Sequence, residues 1–220
     1  MKHTTIQNLI KIENEIKFNL NDIKDINLPK IIAVSKTFKI DKILPLIDHG
    51  HIDFGENKIQ EAVDKWTDIR SNNSNIKLHM IGKLQSNKVK FAVKLFDYIH
   101  SVDSEKLAKK IADEQKKINK RMKIFIQVNI GEEEQKSGIK KIEINDLISY
   151  CKKIDLDVAG LMCLPPADKN SSIYFNEMNT LNHSLGLSDL SMGMSSDYLE
   201  ASKNSATYLR IGSRIFGERF

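Results

Sequence analysis

The chain of 220 residues carries 34 Lys and Arg against 29 Asp and Glu, a formal net charge of +5, and its sequence pI is near 9.0. Hydrophobic residues at 40% and charged residues at 29% are ordinary for a soluble globular chain, and no apolar run approaches the length needed to cross a bilayer. The opening stretch, MKHTTIQNLIKIENEIKF, places charges every few residues, so it offers no signal-peptide core and the expected location is the cytoplasm.

An amphipathic segment over about residues 4–24 comes first. Short apolar, β-rich runs then follow at 31–35, 52–54, 78–81, 98–101, 122–129, 157–162, 189–192 and 207–211. Longer helical patterns separate them, among them 58–69, 104–118 and 142–154. Short continuous apolar strands separated by helices imply parallel pairing with both sheet faces covered. Eight such units without a linker, repeat or low-complexity tract predict an α/β fold, a single (β/α)8 TIM-type barrel with an extra N-terminal helix, as one domain over residues 1–220. A doubly wound open sheet is the alternative that short runs leave open.

The basic balance raises nucleic-acid binding, but the charge distribution argues against it. In VDSEKLAKKIADEQKKINKR, lysines alternate with acids, the pattern of a solvated helix laced with ion pairs. Cys151 and Cys163 form no CxxC, have no metal-ligand spacing with histidine and read as buried, inert thiols. No metal site is expected.

In a barrel, functional groups gather at the carboxyl ends of the strands. Lys36 follows the first run directly. At the mouth of an apolar barrel its amine is partly desolvated, which favours the neutral form that attacks aldehydes; a solvated surface lysine is the competing reading. In LSMGMSSDYLEA, Gly193 admits close backbone approach, and Ser195 or Ser196 can cap a helix whose first turn holds Asp197 and Glu200. A serine hydroxyl with free N–H groups there makes a phosphate seat. In YLRIGSRIFGERF, the N–H groups of Gly212 and Ser213 are placed to share that phosphate, at the two strand ends where barrels usually hold one. Arg210 lies inside the last strand and needs an acceptor, a barrel carboxylate being the simplest. An amine, a phosphate seat and a buried arginine suit an aldehyde-bearing phosphate ester. Pyridoxal 5′-phosphate (PLP) is one candidate and a sugar phosphate held by a lysine-dependent aldolase is another; the residues alone leave the choice open.

Eight stretches, in order over nearly the whole chain, resemble the YggS/PROSC-type pyridoxal phosphate homeostasis proteins. They are AVSKT (33–37), DFGENKIQEA (53–62), HMIGKLQSNKVK (79–90), IHSVDSEKLA (99–108), IQVNIGEEEQKSGI (126–139), GLMCLPP (160–166), LSMGMSSD (190–197) and RIGSRIFGER (210–219). The resemblance implies a PLP-binding barrel like the barrel domain of bacterial alanine racemase. It implies that Lys36 carries PLP as a Schiff base, that Asn57 contacts the cofactor, that Ser195, Gly212 and Ser213 hold the phosphate, and that Arg210 approaches the pyridine nitrogen. Three positions depart from the pattern. Lys83 stands where histidine is common, Arg214 stands where a small residue is common, and Ser205-Ala206-Thr207 replaces a glycine-containing turn. Arg214 adds a second cation near the expected phosphate seat.

An arginine beside the pyridine nitrogen disfavours its protonation and weakens the cofactor as an electron sink. Alanine racemase shares that arginine and compensates with a tyrosine from a second domain of a partner subunit. Here the chain ends at Phe220, about nine residues past the last strand, and no second domain is expected. The expectation is therefore a monomeric carrier that buffers PLP or passes it to PLP-dependent apoenzymes, with no nucleic-acid or membrane partner. The alternative is a PLP-dependent racemase or other enzyme of the same barrel class. If Lys36 is not the attachment point, Lys83 and Lys136 are the next lysines expected on that face.

Overall fold

Both faces of the strands are covered, which is why they read as apolar runs rather than as alternations. The computed structural model describes residues 3–21, 27–133, 135, 137–166 and 170–218. Its strands are β1 (Lys30–Val34), β2 (Asp53–Glu56), β3 (Lys77–Met80), β4 (Tyr98–Val102), β5 (Lys123–Val128), β6 (Asp157–Cys163), β7 (Asp189–Ser191) and β8 (Tyr208–Ile211). Each pairs in parallel with the next, and β8 returns to β1 through Lys30–Tyr208 and Ile32–Arg210. The barrel is closed, so the open doubly wound sheet is excluded.

The helices are α1 (Thr4–Asn19), α2 (Leu44–Asp48), α3 (Ile59–Asn72), α4 (Val89–Leu95), α5 (Glu105–Lys117), α6 (Ile144–Lys153), α7 (Ser171–Ser184), α8 (Tyr198–Lys203) and α9 (Ser213–Phe216). The expected N-terminal helix is α1; residues 22–24 of the expected segment lie outside the described residues. Leu9, Ile12 and Ile16 repeat at helical spacing and bury one face of α1, which packs on α8 and α9. In α5, Ser104 caps the first turn by accepting from the Leu107 N–H at 3.4 Å. Leu107, Ala108 and Ile111 face inward. Lys109 pairs with Asp113 at 3.5 Å on the outer side, and Lys110 reaches the buried Glu114 at 3.4 Å, which accounts for the charge alternation of this segment.

The main apolar layer lies between strands and helices, around Phe54, Trp66, Phe96 and Phe175. A smaller cluster of Ile32, Phe125, Ala159, Met162 and Tyr208 is separate from it. Cys151 and Cys163 are fully buried, and burial pushes both thiols up to about 12. They stay protonated near neutrality and are poor nucleophiles. No helix among the described residues is long and apolar enough to cross a membrane.

Candidate functional site

Successive side chains on a strand point to opposite faces, so positions two apart share a side. Val34 and Lys36, Ile81 and Lys83, and Arg210 and Gly212 are such pairs, and all of them line one cavity of about 800 Å³ at the carboxyl ends of the strands. That size suits a small-molecule site. Lys36, Asn57, Ser195, Arg210, Gly212 and Ser213, the residues singled out from the sequence, all lie on its wall. Lys83 is there too; Lys136 lies outside the described residues.

Lys36 is half-buried, and the backbone on both sides of it is pinned by α3. The Ser35 hydroxyl donates to Glu56 Oε1 at 2.8 Å, and the Trp66 indole N–H donates to the same oxygen at 3.0 Å. Lys65 Nζ reaches Glu56 Oε1 at 2.9 Å, Glu61 Oε1 at 3.0 Å and the Ser35 carbonyl at 2.9 Å. Thr37, at φ 68°, donates its N–H to Glu61. These contacts hold the chain around the amine at the cavity rim. Glu56, Lys65 and Trp66 were not singled out from the sequence, because only the packing of α3 on the barrel brings their polar ends together.

Asn57 extends the inner side of β2. Its Oδ1 is buried, and no described residue donates to it. Gly82 backs it closely: a Cβ at that position would lie 2.3 Å from the Asn57 carbonyl oxygen. Gln127 is a wall residue that sequence reasoning missed; its amide donates to the Ser137 carbonyl at 3.0 Å. Its place two residues beyond the inward Phe125 was the available signal.

The tips of β7 and β8 meet at Ser195. Gly193 sits at φ +84°, in the region that favours glycine, and opens the turn. Ser195 does not cap α8 as expected. Asp197 occupies the N-cap position, and its Oδ1 accepts from the Met194 N–H at 2.6 Å. The Ser195 hydroxyl oxygen instead accepts from the Gly212 N–H at 3.3 Å and the Arg214 N–H at 3.5 Å. The Arg214 guanidinium is drawn elsewhere, to Glu15 on α1 at 3.0 and 3.2 Å and over the Tyr198 ring at 5.3 Å. Only the Arg214 backbone faces Ser195.

Arg210 is 4% exposed. It donates to Ser191 Oγ at 2.7 Å and to the Cys163 carbonyl at 2.8 Å. Among the described residues no carboxylate lies within ion-pair distance of it, so the simple barrel salt bridge is not formed. Burial lowers its pKa from the ordinary value, but a guanidinium keeps its charge in a protein. The site therefore holds a buried cation whose described partners are a hydroxyl and a carbonyl.

A family model described as "Alanine racemase, N-terminal domain" matches residues 13–219. The pyridoxal phosphate homeostasis protein of Pasteurella multocida (strain Pm70) is 34% identical over 228 residues, which is 98% of this chain and 98% of that one. The chain belongs to the pyridoxal phosphate homeostasis protein family. Among solved structures it is similar to PipY of Synechococcus elongatus PCC7942. Without PLP, PipY gives a TM-score of 0.88 at 28% identity, covering 98% of this chain and 100% of that one. With PLP bound, it gives a TM-score of 0.80 at 30% identity, covering 92% and 100%. The resemblance carried by the eight motifs is thus a true family relationship, and the pyridoxal phosphate homeostasis protein fold is the closed barrel expected.

Proposed function

We propose that this protein binds PLP at the carboxyl mouth of its barrel and buffers it or passes it on, without substantial turnover. The observation that carries the reading is the convergence of an amine, a buried acceptor lacking a described donor, a guanidinium and a cluster of N–H groups on one cavity wall. That donor set fits PLP. Lys36, Asn57, Ser195, Arg210, Gly212 and Ser213 would hold it. When bound, PLP supplies an aldehyde that condenses with a primary amine and a ring that draws electrons.

Lys36 presents the amine for covalent attachment, and the Glu56–Lys65 brace keeps it at the rim. Ser195 and the N–H groups around Gly212 offer hydrogen bonds to a phosphate, strong ones because the acceptor is charged. Asn57 Oδ1 is an acceptor for a ring hydroxyl. Arg210 would face the ring nitrogen, and its fixed charge would disfavour a second positive charge there, which argues for holding the cofactor over using it. The relatives from Pasteurella multocida, Haemophilus influenzae and Vibrio alginolyticus, each named pyridoxal phosphate homeostasis protein, support the same reading. Residues 1–220 act as one PLP-binding domain, a cytoplasmic monomer with PLP-dependent apoenzymes as recipients and without a nucleic-acid or membrane partner. Racemase chemistry is the second reading, favoured by Lys83, a further amine on the same wall.

Titration of the purified protein with PLP is expected to produce a visible absorption band that saturates at one PLP per chain and declines when an apoenzyme is added. Sustained racemisation or decarboxylation of amino acids at about 1 s⁻¹ or faster, the range of ordinary enzymes, would refute the carrier reading. Ser195→Ala is expected to weaken PLP binding about ten-fold, the value of a hydrogen bond to a charged acceptor. Binding of pyridoxal, which lacks the phosphate, should be unchanged. Equal losses for both ligands would move the phosphate away from Ser195.

A further inference from the structure

A row of buried polar side chains runs from Arg210 through the barrel interior. Arg210 donates to Ser191 Oγ at 2.7 Å, and Ser191 Oγ lies 2.9 Å from His100 Nδ1. His100 Nε2 lies 3.0 Å from His79 Nδ1, and His79 Nε2 lies 2.9 Å from Asp53 Oδ1. The row joins β8, β7, β4, β3 and β2, and its step from His100 to Ser191 spans strands that are not neighbours in the barrel. His79, His100 and Ser191 are 0% exposed.

The chemistry of the two ends sets the direction of every hydrogen bond. A guanidinium only donates, so Ser191 accepts from Arg210 and has its own proton to offer His100 Nδ1. An ionised carboxylate only accepts, so His79 carries its proton on Nε2, facing Asp53. A neutral imidazole has one N–H; His79 Nδ1 therefore accepts, His100 Nε2 donates, and His100 Nδ1 accepts from Ser191. The assignments begun at opposite ends meet without conflict. The rings are held in place by stacking: Tyr98 on His79 with centroids 4.3 Å apart at 10°, and Phe125 on His100 at 4.3 Å and 19°. The charged groups that act on the pair are Asp53, Asp97, Lys30 and Arg210. Burial lowers the pKa of His79 against the pull of Asp53, and burial, then His79 and Arg210, hold His100 well below its ordinary value. Both rings are thus neutral near pH 7, as the proton order requires. Asp53 itself lines a second cavity, of about 350 Å³, at the amino ends of β1 and β2, beside His51, Lys30 and Glu13.

We propose that Asp53, His79, His100 and Ser191 are positioning residues that form one directed hydrogen-bond relay, fixing the Arg210 guanidinium at the cofactor cavity and tying it to the opposite mouth of the barrel. The role at the cofactor rests on the PLP reading; the proton order does not. Imidazole nitrogen NMR of cofactor-free protein at neutral pH is expected to show both histidines as neutral Nε2–H tautomers. An imidazolium or an Nδ1–H tautomer at either one overturns the relay. In PLP-loaded protein, Ser191→Ala and Asp53→Ala are each expected to speed PLP release about three- to ten-fold and to shift the absorption maximum of the bound cofactor. Asp53→Asn, which keeps an oxygen to accept from His79, restores both. A wild-type spectrum and release rate in folded Asp53→Ala overturns the coupling to the far mouth. Should Asp53→Ala not fold, the NMR pattern and Ser191→Ala decide. Failure of the wild-type protein to take up PLP would refute the functional reading, with the relay then standing or falling on the tautomers alone.

Discussion

After free PLP is removed, Lys36→Ala protein is expected to be colourless and to gain no mass on borohydride reduction. The unmodified chain should turn yellow and gain one reduced pyridoxyl phosphate. The reason lies in geometry. The half-buried amine of Lys36 lines the same cavity as the Ser195–Gly212 cluster, so one ligand spans both. Removing the amine leaves the phosphate seat and Arg210 intact, and the remaining non-covalent affinity should fall by about two orders of magnitude or more, roughly 3 kcal/mol. Peptide mapping of the reduced wild-type protein checks the assignment. A label on Lys83, or a yellow band that survives in Lys36→Ala, would remove Lys36 from its role while leaving the cavity as the site.

The largest effect on stability is expected at Glu56. Its carboxylate is 0% exposed, and Oε1 gathers Ser35, Lys65 and Trp66. The Lys65 side chain is itself only 9% exposed. Glu56→Ala leaves the nearly buried ammonium with Glu61 as its one remaining described carboxylate partner and leaves an indole N–H and a hydroxyl without their acceptor. Breaking a buried pair in this way costs roughly 3–5 kcal/mol, or roughly 6–20 °C in Tm for a chain of this length. Glu56→Gln keeps an acceptor oxygen and loses only the charge, so about 1–3 kcal/mol is expected. Urea denaturation of both variants measures this. A loss below about 1 kcal/mol for Glu56→Ala would mean that water or a rearranged Lys65 replaces the pair. The brace also bears on function: losing the Glu56 charge loosens the Lys65 ammonium that also holds the Ser35 carbonyl at 2.9 Å, so the surviving Glu56→Gln protein should release PLP faster than wild type.

Much of this was legible in the chain because local rules carried it. The apolar runs marked the strands to within a few residues, since strands buried on both faces have no other composition. Alternation with helices implied parallel pairing, and in a barrel parallel pairing puts every strand's carboxyl end on one side. That is why Lys36, Ser195, Arg210, Gly212 and Ser213, spread over the whole length, could be assigned to one end of the barrel from the chain; Asn57 came from the family resemblance. The motif order supplied the family.

What escaped the linear reading depends on which residues face one another across a closed cylinder. Periodicity says that a side chain points inward; it does not say what it meets there. His100 and Ser191 are 91 positions apart and touch only because the barrel closes. Arg210 was expected to find a carboxylate and finds a hydroxyl whose proton order runs back through two histidines to Asp53. Arg214, expected beside the phosphate, turns to Glu15, 199 positions away, because α1 packs on α8 and α9. The order of strands and helices, and the rim residues with their chemistry, follow from local patterning of apolar and polar groups. The partners of buried charges follow from closure and helix packing, where desolvation forces each polar atom to find whatever donor or acceptor the fold brings within reach.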